Sequence, residues 1–373
     1  MAWSRWRGSS TLKCSVSNSR RMKLLMTINA SSTDRLTPAR PRTRLTARRL
    51  VVTLSVLLIV VVVLIILAIA IGSEYVSLDA IAKIVSGRAA EVTPEQRVII
   101  SEIRLPRVLM AVVVGAALSV AGAAYQALLR NPLADPYILG VSTGGALGAI
   151  AATVFAESLQ VSRPLAAFAG ATLTIVCVYA LGQSKQGGST ERLILAGVIV
   201  NALLSSAVIF MVTTASGARQ RSVLSWLIGD LSGEARLLAP VSAFVVTGIL
   251  IVSLNARSLN LMMTGEEEAF ALGVEVPRVK IAVYLAASLI TGAAVAVSGV
   301  IGFVGLIIPH AIRLAGGSDN RLVVPASALA GGAFLLVADT VARTVVAPRE
   351  LHIGVITALI GAPAFIYLLR RAS

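Results

Sequence analysis

The chain has 373 residues, of which 56% are hydrophobic and 14% charged, and its formal net charge at pH 7 is +15. A mean hydropathy of +0.85 excludes an ordinary soluble domain and indicates a polytopic membrane protein. Because each span takes about 20 apolar residues, the spans leave no room for a large soluble domain. Cys14 and Cys177 are too few for a disulfide framework or a metal cluster.

Most of the positive charge lies in residues 1–49, where Asp34 is the only acid. This charge alone would fit nucleic-acid binding, but the positive-inside rule better explains a basic segment beside an apolar run. We therefore predict a basic, disordered cytoplasmic tail over residues 1–49, close to anionic lipid, and no nucleic-acid partner. The run at 50–71 has span length and no clear cleavage pattern, which disfavours a signal peptide. Translation from Met22 or Met26 is an alternative.

Hydropathy predicts an all-α membrane domain over residues 50–373 with about ten spans. The spans lie near residues 50–72, 108–128, 137–156, 164–182, 192–214, 237–254, 281–299, 303–314, 325–345 and 353–369. With a cytoplasmic N-terminus, ten crossings return the C-terminus to the cytoplasm. Arg370 and Arg371 at that end obey the same charge rule.

Two segments of the chain resemble each other at an offset of 177 residues. Residues 115–122 read GAALSVAG and residues 292–299 read GAAVAVSG, with five of eight positions identical. At the same offset Pro132 matches Pro309, and Gly140 matches Gly317. The copies begin in spans two and seven, so they cross the membrane in opposite directions. This pattern predicts an inverted repeat, which is common in transport proteins.

Motifs for catalysis are missing or lack their context. No G-x-x-x-x-G-K-[ST] phosphate loop occurs, so the chain has no ATP site of that kind. Residues 140–144 (GVSTG) fit the nucleophile pattern G-x-S-x-G, with His310 or His352 as a conceivable base, but they open an apolar span instead of a strand–turn–helix. Ser142 is better explained by helix packing. We predict no enzymatic activity, no cofactor and no metal site.

Asp339 is the clearest acidic residue inside a predicted span. Carboxylates in membrane spans often carry protons, so a proton-coupled secondary transporter is one alternative for this chain. The other spans are poor in acids. Energy for uphill transport would therefore more readily come from a separate protein.

Residues 259–278 form the longest cytoplasmic loop of this topology, and we expect two short helices there. Thr264 is placed to cap a helix that begins near Gly265, with Glu267 at capping-box spacing. Gly273 is a natural helix terminator. The loop is either a solvated amphipathic segment or an element that docks into a groove of a cytoplasmic partner.

Three arginines lie on the opposite side of this topology, Arg104 and Arg107 before span two and Arg343 at the end of span nine. Arginines outside the membrane run against the usual charge bias. Their forked guanidinium groups suit carboxylates of a docking protein. Pairing within the chain, with Glu102 or Asp339, is the alternative.

The motifs together resemble the FecCD-type permeases, which are membrane subunits of type II ABC importers for iron-siderophore, haem and cobalamin. They run through residues 50–371 as RLPR (104–107), GAALSVAGAAYQALLRNPLADPYILGVSTGG (115–145), RLILAGVIVNAL (192–203), LNLMMTGEEEAFALGV (259–274), SGVIGFVGLIIPHAIRLAGGSDNRLVVP (298–325), ADTVAR (338–343) and ELHIGVITALIGAPAFIYLL (350–369). The long tail and His352, where proline is usual, depart from the pattern.

The resemblance implies a ten-span permease domain in a bacterial cell membrane. It also implies a second permease subunit, identical or related, two cytoplasmic ATPase subunits that bind the ATP, and an external substrate-binding protein. A ferric siderophore is the expected cargo, with haem or cobalamin as alternatives.

The resemblance also assigns roles to residues. Arg104, Arg107 and Arg343 would receive acidic residues of the binding protein. Residues 259–274 would be the coupling helices on the ATPase subunits, with Leu259, Gly265, Glu266, Glu267, Glu268, Ala269, Leu272 and Gly273 as the matched positions. Asn131, Pro132 and Leu133 would form a cytoplasmic gate together with Thr190 and Glu191. The two prolines at 132 and 136 would stop the helix and give a stiff corner, where Asn131 satisfies freed backbone groups.

Overall fold

Apolar runs of the sequence become helices throughout the part of the chain that the computed structural model describes, which is residues 45–72, 74, 76–155, 162–182, 190–214, 217–233, 235–347 and 349–372. These residues contain no strand, so the all-α prediction is confirmed for them. Residues 1–44 of the predicted tail lie outside the described part. The first described helix begins at Ala47, three residues before the predicted membrane domain.

Fifteen α-helices are described. They are α1 (Ala47–Ala70), α2 (Leu78–Val85), α3 (Pro94–Val98), α4 (Leu105–Leu128), α5 (Val141–Val154), α6 (Arg163–Gly182), α7 (Thr190–Thr214), α8 (Gly217–Leu227), α9 (Leu238–Leu254), α10 (Ala256–Met262), α11 (Glu266–Ala271), α12 (Val276–Ser298), α13 (Val304–Gly316), α14 (Asn320–Thr344) and α15 (Ile353–Ala372). Ten of them, α1, α4 to α7, α9 and α12 to α15, coincide with the ten predicted spans. Seven helical stretches are long and apolar enough to cross a membrane, and α5, α13 and α15 are shorter apolar helices.

Helix α4 starts earlier than hydropathy suggests. The π-helical turn Ile99–Arg104 joins α3 to α4, and the Leu105 N–H donates to the carbonyl of Ile100, five residues back. A wider turn of this kind accommodates Pro106, which cannot donate a backbone hydrogen bond and crowds the preceding turn. Arg104 and Arg107 therefore lie within a continuous helical stretch and not in a loop before it.

The core is built on α4, α12 and α14, which are the most buried of the long apolar stretches. Residues 107 and 115 of α4 face residues 339 and 331 of α14. One set of numbers rises as the other falls, so the two helices are antiparallel. Gly115 and Gly331 bring the backbones so close that a Cβ on either would overlap the carbonyl of the other. Small residues allow this approach, which dispersion forces favour in a membrane.

The two repeat copies also run in opposite directions. Arg130, just after the end of α4, and Lys280, in the first turns of α12, both pair with Glu266. The end of α4 therefore lies beside the beginning of α12, as an inverted repeat requires. Gly140 and Gly317 both have positive φ, at 75° and 93°.

The copies differ in how their first helices end. Gly122 lies inside α4, whereas its counterpart Gly299 ends α12 with φ 66°. Pro132 lies in a turn, whereas Pro309 lies inside α13. The two copies therefore keep the opposed helix directions of an inverted repeat. The break after the first helix falls at different positions in the two copies.

Candidate functional site

An arginine cluster, consisting of Arg104, Arg107 and Arg343, lies at the beginning of α4. Arg107 donates from Nε to Asp339 Oδ1 at 3.0 Å and from Nη1 to Glu350 Oε2 at 2.8 Å. Arg343 donates from Nε to the other Asp339 oxygen at 2.9 Å and from Nη2 to the carbonyl of Ala68 at 3.3 Å. Asp339 is fully buried. One carboxylate thus joins two guanidinium groups from α4 and α14.

Arg104 closes the C-terminal end of α1. Its Nη1 donates to the carbonyls of Ile69 and Ala70 at 2.7 and 3.3 Å, and its Nη2 donates to the carbonyl of Glu74. A cation suits the Ile69 and Ala70 carbonyls because the last turn of a helix lacks intrahelical donors for them and carries the negative end of the helix dipole. Gly72 lies directly beside it, and a Cβ there would overlap the guanidinium in its present position.

The structure brings the three predicted docking arginines together at the end of α1 and pairs them within the chain. Arg104 is 5% exposed and Arg343 is 8% exposed, while the Arg107 side chain keeps 13%. The pairing with Asp339 that the sequence left as an alternative is present, and Glu102 lies exposed on the surface. Docking of a binding protein by these arginines remains a prediction. Arg107 is the most accessible of the three for it.

A cleft of about 130 Å³ lies beside Arg107. Its lining comes from the turn after α8 and the segment before α15, and consists of Arg107, Gly229, Asp230, Leu231, Ser232, Glu350, Leu351, His352 and Ile353. Sequence reasoning did not find Asp230 or Glu350. A run of polar residues after α8 was the available signal for Asp230, but its partner segment lies more than one hundred residues away.

The corner, defined here as residues 130–140, follows α4 at its other end, about 36 Å from the arginine cluster at 1.5 Å per residue. The Asn131 N–H donates to Gln126 O at 3.1 Å and the Arg130 N–H donates to Ala127 O at 3.4 Å. These two bonds form a Schellman motif in which Arg130, with φ 50°, takes the left-handed position.

Side-chain caps hold the corner. Asn131 Oδ1 accepts from the Leu133 N–H at 2.9 Å, so the predicted role of Asn131 toward freed backbone groups is confirmed. Asp135 Oδ1 accepts from the Tyr137 N–H at 2.8 Å. Burial raises the pKa of Asp135 to about 6, against the effect of that hydrogen bond. Asn131, Pro132 and Leu133 remain exposed.

Tyr137 links the corner to the break between α12 and α13. Its hydroxyl donates to the carbonyl of Ile301 at 2.7 Å and accepts from the Ile301 N–H at 3.1 Å. Both backbone groups of a non-helical residue are thereby satisfied, as a membrane interior requires. Tyr137 belongs to the first repeat copy, whereas Ile301 belongs to the second.

Helix α7 packs on the corner through Asn201. Thr143 Oγ1 donates to Asn201 Oδ1 at 2.5 Å, and a Cβ on Gly140 would lie 3.4 Å from the Asn201 backbone. Of the predicted gate partners, Glu191 is exposed in the first turn of α7. The side chain of Thr190 lies outside the described residues.

The predicted coupling segment, residues 259–274, includes the second half of α10 and all of α11, so two short helices are present as expected. Gly273 ends α11 with φ 85°, as expected. The predicted capping is wrong: Gly265 occupies the N-cap without a side-chain bond, and the Thr264 hydroxyl donates back to Leu261 O at 2.7 Å. Thr264 therefore closes α10 instead of opening α11, and Glu267 has no capping-box partner there.

The coupling segment combines buried anchors with exposed apolar residues. Leu259 and Ala269 are fully buried, whereas Phe270 is 73% exposed and Leu272 is 65% exposed. Glu267 and Glu268 are exposed as well. An apolar and acidic surface of this kind on a rigidly anchored helix suits docking to a partner.

Two side chains join the coupling segment to the core. Asn260 donates from Nδ2 to Asp319 Oδ1 at 2.8 Å and accepts from the Asn320 N–H at 2.8 Å. The hydrogen bond from Arg321 lowers the pKa of Asp319 to about 2, against the effect of burial. Glu266 pairs with Lys280 at 2.5 Å and with Arg130 at 3.5 Å.

Ser142 and His310, which the sequence offered as catalytic candidates, are both buried within helices. Ser142 is buried in the first turn of α5, where it follows the left-handed Gly140. His310 is buried in α13 with its ring against Phe365. Within the described ranges, no group of three or more His, Cys, Asp or Glu side chains could hold a metal ion.

The architecture defines a polytopic transport protein: buried antiparallel helices, an inverted repeat, a charged cluster at one end and a segment with exposed apolar and acidic residues at the other. The family model of the FecCD transport family matches residues 58–371. The chain belongs to that family and is a permease.

Several relatives support this assignment. The cobalamin import system permease protein BtuC of Halobacterium salinarum is 46% identical over 278 residues, which cover 74% of each chain. The hemin transport system permease protein HmuU of Yersinia pestis is 44% identical over 72% of this chain and 82% of its own. A solved structure described as an inward-facing conformation of a metal-chelate type ABC transporter has a TM-score of 0.76 and 31% identity, over 85% of this chain and 98% of that one.

Proposed function

We propose that this permease forms the translocation pathway of an ABC importer that carries a ferric siderophore across the cell membrane. Two ATPase subunits would seat on the coupling segment, and an external binding protein would seat over the arginine cluster. Both termini would then lie in the cytoplasm. The observation that carries the proposal is the pair of sites at opposite ends of α4, one charged and one with exposed Phe270 and Leu272.

A second subunit would complete the pathway. Large apolar side chains of α15 are exposed, with Leu359 at 67% and Tyr367 at 62%. In a membrane these side chains face lipid or another helix, so they are available for a second permease subunit, identical or related. ATP binding would close the ATPase pair, and the coupling segment would pass that movement to the pathway helices. ATP is able to drive the change only because it binds the two states differently.

Haem or cobalamin is the second candidate cargo. The relatives named for cobalamin and hemin transport favour it, whereas the expectation of a siderophore rests on the family as a whole. All three cargoes are large metal chelates. Specificity would lie mainly in the binding protein, because a tight site in the pathway would trap the cargo.

Reconstitution tests the proposal. The chain is placed in proteoliposomes with its ATPase subunits and binding protein, and uptake of ferric hydroxamate siderophore, haemin and cyanocobalamin is measured with and without ATP. We expect ATP-dependent accumulation of one chelate, the siderophore first among them. Accumulation of haemin or cyanocobalamin instead would replace the cargo but keep the importer. Uptake by the chain alone, driven by a pH gradient and without any ATPase subunit, would establish the secondary transporter.

A further inference from the structure

Arg130 occupies a backbone position that normally belongs to glycine. Its φ of 50° lies in the left-handed region, which costs free energy in every residue with a Cβ. The same chain places glycine at the equivalent position of two other helix ends. Gly87 after α2 and Gly273 after α11 make the same pair of backbone hydrogen bonds with φ 79° and 85°. Residue 130 is therefore an arginine even though the backbone conformation at this position favours glycine.

The Arg130 side chain reaches the coupling segment. Its Nη2 lies 3.5 Å from Glu266 Oε1, and the other oxygen of Glu266 lies 2.5 Å from Lys280 Nζ. Glu266 is the first residue of α11, Arg130 belongs to the corner of the first repeat copy, and Lys280 belongs to the first helix of the second. The Glu266 carboxylate of the coupling segment therefore contacts one residue from each copy of the repeat.

We propose that Glu266 is a positioning residue that transmits movement of α11 to residues 131–133 through Arg130. This proposal rests on the proposed function, since α11 moves only if an ATPase subunit seats on it. Lys280 holds Glu266 against the start of α12. Arg130 is joined by a peptide bond to Asn131, and the Schellman bonds fix the corner behind it. A displacement of Glu266 therefore changes the position of the predicted gate without passing through the helix core.

The strength of the ion pair is not what the proposal needs. Both side chains are 38% exposed, so solvent screens the pair and it adds little to folding stability. Its contribution is geometric: it joins two segments that otherwise move separately. Loss of the pair should leave the protein folded and the ATPase active, while the gate stops responding.

The test measures how ATP changes access to the gate. Cys14 and Cys177 are replaced by serine, and Leu133→Cys places a thiol at a position that is 46% exposed. The protein is reconstituted with its ATPase subunits and labelled with a membrane-impermeant maleimide, with and without ATP. Arg130→Gly, Arg130→Lys and Glu266→Gln are introduced into this background. Glu275→Gln is the matched control, because it removes one acid from an exposed pair with Arg278.

We expect ATP to change the labelling rate in the parent, in Arg130→Lys and in Glu275→Gln. That change should be lost in Arg130→Gly and Glu266→Gln, with ATP hydrolysis retained in Arg130→Gly. Thermal unfolding separates transmission from folding: Arg130→Gly relieves the left-handed strain, so its Tm should equal or exceed that of the parent.

Three results would overturn the proposal. An ATP response retained in Arg130→Gly and Glu266→Gln would remove the link alone and leave the importer intact. A response lost in Arg130→Gly but kept in Glu266→Gln would mean that Arg130 acts on something else, such as an anionic lipid. A parent with no ATP response at residue 133 would reject the link, and the uptake measurement then shows whether the ATP-driven importer fails with it.

Discussion

Arg107 of α4 and Asp339 of α14 form a buried ion pair with 3.0 Å between Nε and Oδ1. The Asp339 carboxylate is fully buried and also accepts from Arg343, one turn along the same helix. Both of its oxygens are therefore occupied by guanidinium groups. This arrangement suits a counter-ion that joins two antiparallel helices at one end, with a guanidinium donor on each carboxylate oxygen.

Asp339→Asn should destabilise the protein strongly. Removing one partner of a buried ion pair typically costs about 3–5 kcal/mol, because the remaining charge stays buried without compensation. Arg343 would lose the carboxylate with which it pairs, and Arg107 would keep only its pair with the exposed Glu350 among the pairs described here. Thermal unfolding of the purified protein in detergent measures the effect. Glu350→Gln is the control, since Glu350 is 52% exposed and should change stability by less than about 1 kcal/mol. Equal Tm values for the two variants would contradict the assigned role.

Gly331→Ala should separate α4 from α14. A Cβ at residue 331 would overlap the Gly115 carbonyl and the Ser119 side chain, and backbone cannot move aside cheaply. Overpacking of this kind costs about 1–3 kcal/mol or more. Gly302→Ala is the matched control, because its Cβ would meet open space. We expect a lower Tm for Gly331→Ala and an unchanged Tm for Gly302→Ala; the reverse order would reject close packing as the role of Gly331.

Hydropathy was sufficient to predict the ten helices, since each apolar run is long compared with the uncertainty of its ends. The start of α4 was not predictable in the same way. Two arginines and Pro106 normally mark the border of a span, and only the π-turn at Ile99–Arg104 shows that the helix continues through them. Likewise, Thr264 has ideal spacing for a cap of α11, but its hydroxyl bonds to α10. Local competition between two helix ends decides that outcome.

The pairings of the site residues depend on tertiary packing. Arg107 and Asp339 are 232 residues apart, and no local pattern distinguishes a docking arginine from one paired inside the chain. The inverted repeat could be found because its residues recur at one offset. The left-handed conformation of Arg130 could not be predicted, because glycine is normally found at this position of a helix end and this chain has arginine there.

Asp135 makes the stability of the corner depend on pH. Burial raises its pKa from 3.8 to about 6, so the folded protein binds this proton more tightly than the unfolded chain does. The contribution of Asp135 to the free energy of unfolding should therefore be most favourable at low pH. It should fall as pH rises from about 4 to above 6. The shift of about two units corresponds to roughly 3 kcal/mol at most.

Asp135→Asn isolates this effect. Asparagine keeps an oxygen to accept from the Tyr137 N–H but carries no charge. We expect a flatter dependence of Tm on pH between 4 and 7 and a higher Tm than the parent at pH 7. A pH dependence that is the same in the variant and the parent would place the titrating group elsewhere.

Arg107 offers the sharpest test of docking, because its side chain is the most exposed of the three and Asp339 keeps Arg343 as a partner when Arg107 is replaced. Arg107→Gln should weaken the binding protein's affinity by about tenfold or more if an acidic side chain of that protein pairs with it. Loss of one charge contact should also flatten the dependence of affinity on salt, since screening acts on the charge pairs that remain. Affinity is measured by titration at several salt concentrations, with Arg278→Gln, at the opposite end of the core, as the control. If Arg107→Gln binds as the parent does at every salt concentration, the arginine cluster serves only to join α1, α4 and α14.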